Sequence, residues 1–143
     1  MRLPVLLWCV LGFAALSGCQ DDNDSTPALR NTKWMLVQVE STPIAVSSYY
    51  ESFRSYVQFS ENDVITGLGP CNSFEGKFST GRSNQLFISK LATTKVNCAA
   101  LSLETLFLEA LPRTAGYELS GQELRLYDAS NVLRPLVILR AQQ

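Results

Sequence analysis

Hydrophobic and polar positions fall into three regimes along this chain. Residues 3–16 form an apolar run, residues 20–27 hold three aspartates, one asparagine and no large apolar residue, and the remainder alternates. From Leu29 onward the pattern is mainly short runs of period two broken by turn residues, which argues for antiparallel sheet. The alternation predicts strands over 33–40, 55–60, 64–67, 74–80, 85–89, 93–97, 117–120, 123–128 and 136–140. One segment has a different period. Leu103, Leu106, Phe107, Ala110 and Leu111 recur at helical spacing and make a single apolar stripe. Ser102 is placed to cap that helix, Glu104 suits its first turn, and Pro112 predicts an end near Leu111, with Gly116 at the chain reversal beyond. A weaker helical turn is expected over 47–53.

The clearest hairpin turns at Gly121-Gln122. That turn sets Tyr117 opposite Leu126 and Leu119 opposite Leu124 on one face, and Glu118 opposite Arg125 on the other. Glu118 and Glu123 are then ordinary surface charges with different partners, not an acid–base pair.

The apolar run at 3–16 follows a single arginine, Arg2, and is too short to span a bilayer. It ends in Leu16-Ser17-Gly18-Cys19, which reads as a bacterial lipobox. Only a thiol can take a diacylglyceryl group as a thioether, so Cys19 is the expected lipidation site. Each buried methylene of an acyl chain contributes ~0.8 kcal/mol, so two or three chains hold a protein on a membrane almost permanently. The expected organisation is a leader over 1–18, an acidic tether over 19–28 and one domain over 29–143. Gln20 after Cys19, with the acidic run Asp21-Asp22-Asn23-Asp24, points to a lipid-anchored place in the cell envelope at the outer membrane, facing the periplasm or the outside.

Removal of the leader leaves a net charge of −2 with no basic cluster, so nucleic acid is not an expected partner. Histidine is absent, which excludes imidazole-activated nucleophiles and histidine-ligated zinc. Export places Cys71 and Cys98 in an oxidising compartment, where two leftover thiols usually pair. No catalytic, cofactor or metal site is expected.

Two stretches together resemble the META-domain family, also called HslJ-like. Gly69-Pro70-Cys71-Asn72-Ser73-Phe74-Glu75-Gly76-Lys77-Phe78 is similar to its glycine–cysteine–asparagine turn and aromatic strand, and Leu91-Ala92-Thr93-Thr94-Lys95-Val96-Asn97-Cys98 to its threonine-rich segment ending in cysteine. Trp34 before an apolar strand and the hairpin at 116–126 also fit. Pro70 and Val96-Asn97 depart from the usual residues at their positions. The resemblance implies a mainly β fold, a small antiparallel β-barrel of lipocalin-like outline with one packed α-helix. It also supports the Cys71–Cys98 pairing.

Gly76 between Phe74 and Phe78 suits a close approach of another backbone, and Asn72 is expected to bond within its turn. Asn72, Thr93, Thr94 and Lys95 are a candidate contact lip. The barrel interior is expected to be filled by Trp34, Leu36, Phe74, Phe78, Leu86, Ile88, Leu119, Leu124 and the helix stripe. The resemblance implies envelope or secreted proteins tied to stress tolerance, with no established catalysis. The leading expectation is a non-enzymatic, lipid-anchored envelope protein with a membrane contact through Cys19 and an unidentified envelope protein partner. The alternative is a barrel that binds a small apolar ligand. An enzyme built on Glu61 and Asp63 ranks third.

Overall fold

A computed structural model describes residues 26–44 and 55–142. The expected leader, Cys19, the acidic tether as far as residue 25 and the helical turn over 47–53 lie outside the described residues.

Nine strands and one helix make up the described chain: β1 (Lys33–Val39), β2 (Thr42–Pro43), β3 (Tyr56–Phe59), β4 (Val64–Leu68), β5 (Ser73–Thr80), β6 (Leu86–Thr93), α1 (Leu101–Arg113), β7 (Thr114–Ser120), β8 (Glu123–Asp128) and β9 (Val137–Ala141). All pairings are antiparallel, in the order β6-β5-β4-β3-β1-β9-β8-β7, with β2 folded back on β1. The sheet curls into a half-barrel. Its terminal strands approach where Gln85 bridges Gly116 and the Tyr117 N–H donates to the Asn84 carbonyl at 2.9 Å.

The registers give the half-barrel two distinct ends. At one, residues 29–32 enter beside the turns at 60–63, 81–85 and 121–122. At the other lie residues 40–44, 69–72 and 94–100 and the loop at 129–136, and α1 crosses between them. Phe107, Ala110 and Leu111 turn inward from α1 to meet Trp34, Phe59, Ile65, Leu86, Leu124, Leu126 and Leu139 in one buried cluster. Within it Phe74 meets Phe107 edge-on at 5.8 Å, and Phe59 meets Phe78 at 5.0 Å. The buried indole N–H of Trp34 donates to the Leu29 carbonyl at 3.0 Å, which docks the entering segment.

Most alternating runs fold as expected, and the exceptions have local causes. The segments 85–89 and 93–97 were expected as separate strands but belong to one strand, β6, and a coil. Lys90 adopts φ 54° at a bulge opposite Gly76, which shifts the period-two pattern by a residue, and the ladder ends at Thr93. Val37 is a similar extra residue in β1, so burial passes from Trp34 and Leu36 to Val39. The 121–122 hairpin has the expected register, with Gly121 at φ 55°.

Three helix expectations need correction. Ser102 does not cap α1, because Ala100 occupies the N-cap position without a side-chain bond. The helix continues through Pro112 to Arg113, since proline this late removes only one of the last donors. Gly116 lies inside β7 rather than at a reversal. The core also differs at three positions: Leu106 is 38% exposed and Leu103 and Leu119 are only half-buried, while the other expected fillers from the strands are buried.

Gly76 meets the expected close approach. A Cβ there would lie 2.7 Å from Leu91 Cδ2 and 2.9 Å from the Ser89 carbonyl oxygen. Gly76→Ala should therefore cost roughly 1–3 kcal/mol of stability through overpacking at the bulge. Equilibrium urea denaturation measures it, and an unchanged midpoint would show that the β5–β6 pair yields without cost.

Candidate functional site

The described residues build two polar constellations at the helix end. The first joins the β4–β5 loop to α1. Cys71 and Cys98 form a disulfide with a Cα–Cα distance of 5.9 Å, closing a sequence separation of 27. On chain-entropy grounds a loop of this length contributes about 3–4 kcal/mol.

Beside the disulfide, Glu104 reaches from the first turn of α1 into the β4–β5 loop, only 3% exposed. Its Oε2 accepts the backbone N–H groups of Cys71 at 2.7 Å and Asn72 at 2.6 Å, and its Oε1 accepts the Asn72 amide at 2.5 Å. Gly69 leaves the space this carboxylate needs, because a Cβ there would stand 2.9 Å from Glu104 Oε2. The same Asn72 side chain donates to the Val96 carbonyl at 3.0 Å and accepts from the Val96 N–H at 2.6 Å and the Thr94 hydroxyl at 2.8 Å.

This arrangement fastens the β4–β5 loop to α1. Both side chains spend their hydrogen bonds inside the protein. Asn72 thus takes the turn-bonding role expected of it, and the four residues of the candidate lip are divided. Thr94 follows Asn72 inward through its hydroxyl, Thr93 borders a shallow depression of about 460 Å³ beside Ser73 and Glu75, and Lys95 is exposed. Glu61 and Asp63 sit on an exposed turn, where Asn31 donates to Glu61 at 2.7 Å and Arg30 pairs with Asp63 at 2.6 Å.

The second constellation lines a cleft of about 520 Å³ among the β1–β2 turn, the C-terminal end of α1 and the β8–β9 loop. Arg113 lies 2.8 Å from Glu40 Oε1 and 3.2 Å from Asp128 Oδ2, tying all three elements together. The hydrogen bond to Glu40 is the main cause raising the Arg113 pKa. Asp128 is held below the usual carboxylate range, first by the Ser130 backbone N–H, then by the Ser130 hydroxyl, with a further contribution from Arg113. Arg134 stands on the same wall.

Sequence reasoning placed Glu104 in the first helical turn but missed its burial. The signal was present, since Glu104 lies three residues before Phe107 and seven before Leu111, on the same helix face. The ion pairs of Arg113 join residues far apart in the chain and had no local signature.

The family model of the META domain matches residues 27–142, spanning the disulfide, Asn72, Glu104 and the whole curled sheet. The chain belongs to the META-domain family. No curated protein matches this META-domain chain by sequence. Among solved structures, it resembles the crystal structure of a DUF4847 family protein from Bacteroides vulgatus ATCC 8482, with a TM-score of 0.55 and 14% identity over 79% of this chain and 92% of that one. That likeness is one of fold: a mainly β architecture shared at low identity.

Two outcomes follow from the META domain's polar constellations. Replacing Glu104 by Gln sets an amide against N–H donors, with an expected loss of about 2–3 kcal/mol, while Glu104→Asp fails to reach both partners and loses a similar amount. Thermal melts measure both, and an unchanged melting temperature in either would show that the carboxylate does not fasten the loop.

The lowered Asp128 pKa has a definite sign. Its stabilisation is fully present above the ordinary carboxylate value of 3.8 and is lost as pH falls through the lowered folded-state value. The stability difference between wild type and Asp128→Asn should hold steady above about pH 5 and shrink below 3.8. Denaturation at stepped pH tests this, and a gap that widens on acidification contradicts it.

Proposed function

We propose that this META-domain protein is a non-enzymatic, lipid-anchored component of the bacterial cell envelope that works through protein contacts and supports the envelope under stress. The observation that carries the reading is the filled interior. Trp34, Phe59, Ile65, Leu86, Phe107 and Leu111 are fully buried against one another where a ligand-holding barrel keeps space. Such packing counts against the apolar-ligand alternative and leaves the surface as the part available for recognition.

The chemistry of the side chains supports the same reading. Glu104 is bound by N–H groups, the domain's two cysteines are joined, and Glu61 and Asp63 are exposed and engaged by Asn31 and Arg30. The anchor rests on the lipobox ending in Cys19, and the outer membrane on Gln20 and the aspartates that follow.

Metabolic labelling with an alkyne fatty acid tests the anchor. Wild-type protein should carry the label and sediment with outer-membrane vesicles, whereas Cys19→Ala should lose both properties. A deletion strain should become sensitive to detergent and regain resistance from the wild-type gene but not from Cys19→Ala. Unlabelled wild-type protein sinks the anchored reading, and equal rescue by both genes removes the need for the lipid.

A further inference from the structure

The helix end of the half-barrel carries apolar side chains that the fold does not bury. Val132 and Leu133 are 71% and 89% exposed, yet their loop is fastened at several points. Asp128 Oδ1 accepts the Ser130 N–H at 2.9 Å and its hydroxyl at 3.0 Å. Asn131 Oδ1 accepts the N–H groups of Leu133 at 3.1 Å and Arg134 at 3.2 Å. Bonds of this kind fix a turn locally. Two apolar side chains are thus held in water by a bonded turn rather than left there by a slack one.

Next to them opens the cleft built on Arg113. That arginine is fully engaged, one face toward Glu40 and another toward Asp128. Arg134 lies on the cleft wall and makes no ion pair among the described residues, so its charge is the one on offer. The wall opposite is also held at a cost. Glu40 adopts φ 49°, a left-handed conformation unfavourable for a side chain of this kind, and Gln38 clamps its carbonyl at 2.7 Å.

We propose that this cleft is a docking site for a segment of a partner protein that presents a carboxylate beside a large apolar side chain. Arg134 takes the carboxylate, and Val132 and Leu133 take the apolar group. The proposal rests on the reading of this protein as one that works through protein contacts, and it names the surface and the chemistry of the partner.

Position and charge favour that occupant. Residues 29–32 enter the fold at one end of the half-barrel, and the 129–136 loop lies at the other. Among the described residues that line the cleft, the carboxylates a second copy would bring to Arg134 by meeting this face with the same face are Glu40 and Asp128, both already held by Arg113. A carboxylate from a different protein meets no such competition.

Photocrosslinking in living cells tests the site with the full-length protein. Leu133 is replaced by p-benzoylphenylalanine, which keeps a large apolar group at that position, and a control probe is placed at Lys77, exposed on β5 toward the other end. The expected result is a discrete adduct from position 133 and none from 77, whose crosslinked peptide carries Asp or Glu adjacent to a large apolar residue. Arg134→Glu should lower the yield roughly fivefold or more, the scale of a partly exposed ion pair, and Arg134→Lys should retain most of it. Melting temperatures of the variants separate lost docking from lost fold.

Absence of an adduct, an adduct indifferent to Arg134→Glu, or an adduct with a second copy or a phospholipid overturns the docking site. Running the Cys19→Ala protein in parallel keeps the two readings apart. An Arg134-dependent adduct that survives when the labelling experiment fails leaves the docking site standing without the anchor. A labelled, membrane-bound protein with no such adduct leaves the anchor standing without the docking site.

Discussion

The carboxyl group of Glu104 lies buried inside a small protein, and among the described residues no lysine or arginine pairs with it. Three N–H groups, from the Cys71 and Asn72 backbone and the Asn72 amide, do the work of a counterion. Burying a carboxylate without such partners is costly, whereas burying an apolar side chain is favourable. Helix and loop must therefore meet in one arrangement, since either alone leaves the charge or its donors unpaired. From that single arrangement follow the seating of α1 over the half-barrel, the inward turn of Phe107 and Leu111, and the proximity in which Cys71 and Cys98 are joined.

The order of forces is instructive. Apolar burial brings the helix to the sheet but tolerates small rotations about the helix axis, because Leu103 and Leu108 pack half-buried at the edge of the core and Leu106 could also have faced inward. The directional bonds of Glu104 remove that freedom. Leu106 consequently remains exposed even though it belongs to the apolar stripe.

Much of the sheet was legible from alternation because a half-buried strand writes its two faces into the sequence. The 121–122 hairpin shows this at its clearest, down to Glu118 opposite Arg125. Legibility failed at Lys90, which enters the ladder without a partner, because a one-residue shift in a period-two code reads as the end of a strand; the like shift at Val37 fell inside the strand expected over 33–40 and did not divide it. At the site, the turn around Asn72 and the cysteine pair were legible from local residues and from the family pattern. Glu104 was half-legible, its place on the helix plain and its burial not. The Glu40–Arg113–Asp128 bridge was invisible, because ion pairs across 73 positions depend on the completed fold.

The covalent link between Cys71 and Cys98 encloses the whole β5–β6 hairpin, which is one margin of the open sheet. Unpaired sheet margins are where foreign strands add and where peptide bonds are attacked. A cut within the exposed turn at 81–85 would part the backbone but release no fragment, since the two pieces stay joined on the far side of the nick. Damage at this margin thus becomes a scar carried by an intact body, and only a reductant turns it into a loss.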